Sequence, residues 1–483
     1  MQSPKTAYLA GASGVIASRM VSLGAGFLSL WFLTRILSTE QFAGYSVAMS
    51  VVILASSSVG IGIERVMLLR VSEVEPCSGQ LMGRTLALKI FGLVGTLSIL
   101  AALALMLFSE AARLGVQEDL NGWLIRLAPF VPAAALSLVL VTWFQANHRV
   151  GVSELMTGLT DGSRCIFFGI AFLFGLGSPA VALAATMSAA MPIPLLLSLA
   201  IGRTTHQPSA MTFKDLLFGL HFLTMRLSRM GLNHLDIVAL GMFAGVTETA
   251  QYVVASRFAA IVMLGPAVFA PTYEPRVRRL IALGDSEAIS REYHSIRVIA
   301  FACALVSCVV FTAIGRPVLT MFGEFGVGYS PFLLLLAGHL AQAGFGVHGS
   351  HLSMTGDIAL ATVNRVGTLA VFVVCLIVLV PPLSAIGAAL SFLIASVVYS
   401  LAGAAILFRR GEVVPITFSF GSIVFLAGTF LSLAALTSLG SILAAGLLTI
   451  CFVAVLLSEK SVFIRMLSGQ SDNRNARGRS GQP

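Results

Sequence analysis

The sequence predicts an all-α polytopic membrane protein, from its composition and from the length of its apolar runs. Of the 483 residues, 57% are hydrophobic and only 11% are charged, whereas soluble globular proteins carry about 25% charged residues. A water-soluble fold could not cover so much apolar surface. The apolar residues also fall in runs of about 20, which is the length of helix that crosses roughly 30 Å of hydrocarbon.

About fourteen such runs follow one another, and they are numbered here as spans 1 to 14. Their approximate limits are 9–33, 42–63, 85–108, 123–145, 155–176, 179–200, 220–244, 249–273, 295–320, 331–353, 363–381, 384–407, 415–437 and 440–457. Two longer regions are divided where Gly and Pro interrupt them, at GLGSPA (175–180) and VPPLSA (380–385). We expect prolines to kink spans 4, 6 and 8, at Pro129, Pro132, Pro192, Pro194, Pro266 and Pro271.

The basic residues predict the orientation of the chain. With the N-terminus inside, 23 of the 30 Lys and Arg residues lie near the inner face, four near the outer face and three within spans. This asymmetry places both termini in the cytoplasm of a multi-pass protein of the bacterial inner (plasma) membrane. The net charge of +9 therefore indicates topology rather than nucleic-acid binding, for which no soluble domain is available.

Cofactor chemistry has no support in the sequence. The six cysteines are scattered without a CxxC pair, which argues against a disulfide framework or a zinc site. His339, His348 and His351 in span 10 point in different directions on a helical wheel, so no metal site is expected there.

An internal repeat divides the spans. LTRILSTEQFAGYSVAMSV (33–51) aligns without gaps on LGMFAGVTETAQYVVASRF (240–258) at an offset of 207, with Tyr45 opposite Tyr252. Six spans per repeat preserve orientation, so the halves are parallel copies. We predict an N-terminal six-helix bundle and a C-terminal one, two additional transmembrane helices and a disordered basic cytoplasmic tail, over 1–202, 203–410, 411–457 and 458–483.

Span 7 carries an unusual number of polar residues. On a helical wheel Arg226, Arg229, Asn233 and Asp236 fall within about 80°, and His234 lies outside that arc. Charged residues inside a span normally face the bundle interior or a water-filled cavity. The alternative for the two arginines is that they reach back to the inner surface. Asp236 is interpreted either as a ligand for a coupling ion or as a member of an internal ion pair.

Two further arginines complete the candidate site. Arg257 lies about nine residues into span 8, where the first repeat has Ser50, and either faces the cavity or forms a buried pair. Arg19 precedes Gly24 and Gly26, which favour a bend or break in span 1; the alternative is an interfacial charge. Arginine pairs two phosphate oxygens at once and stays charged. We therefore expect an anionic substrate, such as a diphosphate, to bind Arg19, Arg226, Arg229, Arg257 and Asn233.

An ordered series of segments resembles a known family. They are LTRILSTEQFAGYSVAMSVVILASSSVGIGIERVML, DIVALGMFAGVTETAQYVVASRFAAIVMLGPAVFAPTYEPRVRRL, LTMFGEFGVGYSPFLLLLAGHLAQA, LSMTGD and LSAIGAALSFLIASVVYSL. Over about 15–410 the chain is similar to the oligosaccharidyl-lipid flippases, or Wzx-like polysaccharide exporters, of the MOP superfamily, which also holds lipid II flippases and MATE antiporters. The chain departs by having Ala43 where the family turn often has Gly, and by having fourteen spans where many exporters have twelve.

The resemblance implies two six-helix bundles around a central cavity, alternating access and a lipid-linked sugar as cargo. The expected function is therefore export of a polyprenyl-diphosphate-linked oligosaccharide, for exopolysaccharide or the O-antigen of lipopolysaccharide. Membrane lipids and other polysaccharide assembly proteins are the expected partners, with proton or sodium coupling and no enzymatic activity.

Three rival functions remain at this stage. A cation-coupled multidrug (MATE-type) antiporter usually has acidic residues and few arginines in its cavity. A polysaccharide polymerase or ligase needs a sizeable outer loop, and the longest one here, SEAARLGVQEDLNGW (109–123), is too short. A non-transporting scaffold does not account for charges inside spans.

Overall fold

The computed structural model is all-helical wherever it is described. It describes residues 4–60, 62–63, 66–67, 84–111, 118–147, 150–194, 213–264, 273, 277, 280–281, 283–323, 328–345, 348–355, 358–410, 418–436, 441–460 and 462. No strand is assigned within these ranges. The predicted tail from residue 463 onward lies outside them, as do the side chains before Met20.

The helices follow the predicted spans closely. The first seven are α1 (Pro4–Ile36), α2 (Thr39–Val59), α3 (Arg84–Ala111), α4 (Glu118–Leu127), α5 (Phe130–Ala146), α6 (Val150–Leu173) and α7 (Ser178–Ala190). The others are α8 (Phe213–Phe243), α9 (Val246–Ala259), α10 (Ser286–Thr320), α11 (Tyr329–Phe345), α12 (His348–Met354), α13 (Ile358–Arg409), α14 (Phe418–Leu436) and α15 (Ser441–Ser458), with a 3₁₀ turn at Ala260–Met263 after α9. Within the described ranges, each predicted span coincides with one helix, with consecutive helices or with half of α13. The all-α polytopic class is confirmed.

Some of these helices are long and apolar enough by themselves to cross a membrane. In the described ranges there are four, or five if the bent pair α4–α5 is one span: Thr39–Val59, Leu86–Ser109, Ser286–Thr320 and Ile358–Arg409. The bend between α4 and α5 is 41°, next to Pro129, which confirms the predicted kink of span 4. α13 has 52 residues, or about 78 Å of helix. It is interrupted at Ser384, where the backbone is non-helical at φ 48°, so it supplies spans 11 and 12.

Helix boundaries recur at the offset of the sequence repeat. α1 ends at Ile36 and α8 ends at Phe243, while α2 begins at Thr39 and α9 at Val246; each pair is 207 residues apart. The start of α7 at Ser178 likewise corresponds to the residue after the Ser384 break. Equivalent backbone breaks support two copies of one helical plan.

By density of internal contacts, the chain divides into two compact units. Unit 1 comprises residues 1–254 and 376–385, and unit 2 comprises 255–375 and 386–483. In unit 1, α2 packs against α8, α4 and α5, and α1 packs against α6. In unit 2, α10 packs against α11 and α15, and α14 packs against α11 and α15. The domain limits derived from the repeat are defined differently and stay a prediction.

The α2–α8 contact depends on a glycine. A Cβ at Gly241 of α8 would lie 2.6 Å and 2.9 Å from the two methyl groups of Val47 on α2, whereas Gly24 of α1 has nothing within 4 Å. Small residues allow membrane helices to approach closely. We expect Gly241→Ala to lower the free energy of unfolding by about 1–3 kcal/mol through overpacking.

The matched control for this prediction is Gly24→Ala. It should be neutral or stabilising by up to about 1 kcal/mol, because alanine is the better helix former. Thermal unfolding of both purified variants in one detergent measures the difference, and equal unfolding temperatures would contradict the close α2–α8 packing.

Candidate functional site

The middle of α8 exposes a polar face. Arg229 and Asn233 are exposed, and Arg226 is half-buried. Spacings of three and four residues make these side chains neighbours on the helix surface. α8 begins at Phe213, seven residues before the predicted span, so Arg229 lies about 24 Å along the helix from that end. A guanidinium is costly in hydrocarbon, so at this depth it favours water, protein or an anionic ligand.

The opposite face of α8 is buried against α2. His234 is 6% exposed, and its Nδ1 lies 3.4 Å from the Ser50 hydroxyl of α2. Gly241 lies on the same side of the helix as His234, against Val47. This face agrees with the helical wheel, which separates His234 from the arginines. The packing therefore fixes which side of α8 is left open.

Asp236 differs in burial from the other members of the arc. The wheel grouped it with Arg229 and Asn233 on one face, but Asp236 is only 4% exposed whereas those two are exposed. Its Oδ2 accepts a hydrogen bond of 2.7 Å from the hydroxyl of Tyr252 on α9, and Tyr252 is fully buried. Asp236 lies at the edge of the arc and nearer the end of α8, where Tyr252 of α9 contacts it. The open face therefore consists of Arg226, Arg229 and Asn233.

The other two predicted binding residues, Arg257 and Arg19, lie on helices other than α8. Arg257 lies on α9 near its end, and its side chain is exposed. Arg19 lies on α1, and its side chain is outside the described residues. No break occurs at Gly24 and Gly26, because α1 is one continuous helix from Pro4 to Ile36; a bend there stays a prediction. A glycine costs a helix only about 1 kcal/mol, and backbone groups in a membrane have strong reason to keep their helical hydrogen bonds.

The repeat holds a signal that the sequence interpretation did not use. Arg19 and Arg226 are 207 residues apart, so both halves have an arginine at the same repeat position. At the positions of Arg229 and Asp236 the first half has Ser22 and Ser29. The charges of Arg229 and Asp236 are therefore present only in the second half of the repeat. Extending the alignment upstream of residue 33 would have revealed the correspondence.

A second polar group lies within unit 1 and was not predicted. Asp161 and Arg164 of α6 are 3.9 Å apart, and the Arg164 Nε lies 3.4 Å from the Ser188 hydroxyl of α7. Ser22 of α1 lies beside Asp161. Two features of the sequence could have indicated this group. Asp161 and Arg164 are three residues apart in DGSR, and Ser22 occupies the repeat position of Arg229.

The histidines of span 10 each contact a different neighbour. The His351 Nδ1 lies 2.6 Å from the Tyr273 hydroxyl. The ring centroids of His348 and Tyr399 are 4.4 Å apart, and those of His339 and Phe392 are 4.8 Å apart. Among the described residues, no group of three His, Cys, Asp or Glu side chains is arranged to hold a metal.

Sequence comparison identifies the family. Residues 8–273, more than half of the chain, match the family whose description is "Polysaccharide biosynthesis protein". The chain belongs to this family. No protein with a curated description matches the sequence significantly.

Solved structures show which fold this chain shares. The lipid II flippase MurJ in an inward closed conformation has a TM-score of 0.66 at 12% identity, over 94% of this chain and 98% of the flippase. A variant of the MATE transporter VcmN from Vibrio cholerae has a TM-score of 0.59 at 17% identity, over 83% and 96%. A MOP superfamily transporter from Pyrococcus furiosus, for which reversed polarity of the binding pocket has been described, has a TM-score of 0.57 at 12% identity, over 83% and 94%. The fold is that of multi-pass flippases and transporters of the MOP superfamily.

Proposed function

We propose that this protein is a flippase that moves a polyprenyl-diphosphate-linked oligosaccharide from the inner to the outer leaflet by alternating access. Membership of the polysaccharide biosynthesis protein family and a fold shared with a lipid II flippase support a membrane transporter for such material. The charge asymmetry of the sequence supports a bacterial inner membrane location with both termini in the cytoplasm.

The single observation that carries the proposal is the open polar face of α8. Arg229 and Asn233 are exposed in the middle of α8, within the predicted span 7 and one turn apart, with Arg226 beside them. Each guanidinium offers a planar fork of donors that matches two phosphate oxygens, and pairing with an anion offsets the cost of its depth. Asn233 has an amide that both donates to and accepts from sugar hydroxyls.

These properties assign the three parts of the substrate to different surroundings. The diphosphate contacts the arginines, the sugar is carried in the aqueous interior, and the lipid tail stays in the bilayer. Arg19 and Arg257 are proposed to add to the same anion-binding function. A proton or sodium gradient is the proposed driving force, and other polysaccharide assembly proteins are the proposed partners.

The test is a deletion strain complemented with the wild-type gene. We expect lipid-linked saccharide to accumulate in the inner leaflet on deletion, where it is protected from an outside carbohydrate-modifying reagent in spheroplasts. Complementation should return it to the accessible pool. Unchanged accessibility on deletion, together with lost resistance to organic cations, would instead favour a MATE-type antiporter. A saccharide that reaches the outer leaflet but is no longer joined into polymer would favour a polymerase.

A further inference from the structure

The C-terminal helix α15 ends at a buried acid. Glu459 directly follows α15, is 7% exposed, and its amide still donates to the Val455 carbonyl at 2.9 Å. The carboxyl end of a helix carries partial negative charge, so a carboxylate is unfavourable there. A buried acid in that place needs a donor to compensate it.

His294 of α10 supplies that donor. The His294 Nε2 lies 3.0 Å from Glu459 Oε2, and the His294 Nδ1 lies 2.7 Å from Arg297 Nη2. Arg297 is 2% exposed, and its guanidinium lies 6.0 Å from the ring of Tyr293. The Tyr293 hydroxyl in turn donates to the Phe345 carbonyl of α11 at 2.9 Å. We call Arg297, His294 and Glu459 the α10–α15 relay.

One protonation state of the ring satisfies both contacts. A guanidinium only donates, so Nδ1 must offer its lone pair to Arg297. A carboxylate accepts, so Nε2 must carry the hydrogen that points to Glu459. A neutral imidazole with hydrogen on Nε2 meets both requirements and links a buried cation to a buried anion.

The helices around the relay form a closed group. α10 packs against α11 and α15, and α14 packs against α11 and α15. The C-terminal pair α14–α15, which lies beyond the predicted repeat, is thus built into unit 2 on two sides. The contact between His294 and Glu459 connects α10 to the end of α15.

We propose that His294, through the α10–α15 relay, fixes the C-terminal helices α14 and α15 to the rest of unit 2. The pair α14–α15 therefore moves as one body with α10 and α11. This role does not depend on which substrate the protein carries.

The test compares two substitutions of His294 in the full-length protein in lipid nanodiscs. Glutamine keeps both contacts, because its amide oxygen accepts from Arg297 and its amide nitrogen donates to Glu459. Alanine removes both. In hydrogen–deuterium exchange over residues 441–458, we expect His294→Ala to exchange about tenfold faster or more, since it breaks hydrogen bonds to charged groups. His294→Gln should stay within about twofold of the wild type.

Two more variants make the result decisive. Glu459→Ala breaks the relay from its other end and should match His294→Ala, also serving in its place if His294→Ala does not fold. Glu287→Gln breaks the exposed 3.0 Å pair with Arg291 on the same helix and should leave exchange of α15 unchanged. Wild-type exchange in both alanine variants would overturn the proposal. So would a His294→Gln variant as fast as His294→Ala.

Discussion

Arg229→Ala is expected to reduce translocation of the lipid-linked saccharide by about tenfold to a hundredfold. A hydrogen bond to a charged group is worth about 1.5–3 kcal/mol, and about 1.4 kcal/mol corresponds to a factor of ten. Arg229 is exposed in the middle of α8 with Asn233 one turn away, so truncation should leave the buried face of α8 intact. The measurement is the initial rate of transfer in proteoliposomes, together with the unfolding temperature.

The controls separate anion binding from a general effect of charge. Arg229→Lys keeps the charge but loses the fork, so we expect a smaller fall of about twofold to fivefold. Arg35→Ala removes an exposed arginine of unit 1 at the end of α1, where its guanidinium lies over Trp31 at 5.7 Å. Its rate should match the wild type. Full activity in Arg229→Ala, or equal losses in Arg229→Ala and Arg35→Ala, would contradict the role assigned to Arg229.

Tyr252→Phe is expected to destabilise the surroundings of the site. It removes only the hydroxyl that donates to Asp236 at 2.7 Å, with both side chains buried. Leaving a buried acceptor without its donor costs about 1–3 kcal/mol of unfolding free energy. The unfolding temperature should fall, and translocation with it, because the bond joins α9 to the helix that carries Arg229.

Substitutions of Asp236 then distinguish support of the α8–α9 hairpin from ion coupling. Asp236→Asn keeps an acceptor for Tyr252, so we expect translocation within about threefold of the wild type, whereas Asp236→Leu should behave like Tyr252→Phe. The double variant Tyr252→Phe with Asp236→Leu should be no worse than the more damaging single one. If Asp236→Asn abolishes transport while the unfolding temperature is unchanged, Asp236 carries the coupling ion instead.

Much of the fold could be predicted because membrane helices obey one dominant constraint. Hydrocarbon requires about 20 apolar residues per crossing, so the limits of α2 and of both halves of α13 are close to the apolar runs. Breaks were predictable where Pro and Gly interrupt a run, as at Pro129. They were not predictable from Gly24 and Gly26, because a helix in apolar surroundings tolerates glycine.

The candidate site was less predictable, because side-chain exposure depends on neighbouring helices. The wheel correctly separated His234 from Arg229, since these lie far apart in angle. It did not separate Asp236 from Arg229 and Asn233, because a wheel carries no information about the neighbouring helices. The relay of Arg297, His294 and Glu459 could not be predicted from the sequence, because His294 and Glu459 are 165 residues apart in the chain.

Direct binding of the substrate headgroup is the most decisive measurement. Purified protein in nanodiscs is incubated with a fluorescent polyprenyl-diphosphate-linked oligosaccharide, and unlabelled competitors are added. The α8 face predicts competition by polyprenyl diphosphate, none by the neutral polyprenol or by an organic cation, and binding weakened about tenfold or more in Arg229→Ala. Equal competition by the neutral polyprenol, or unchanged binding in Arg229→Ala, would contradict recognition of the diphosphate by α8.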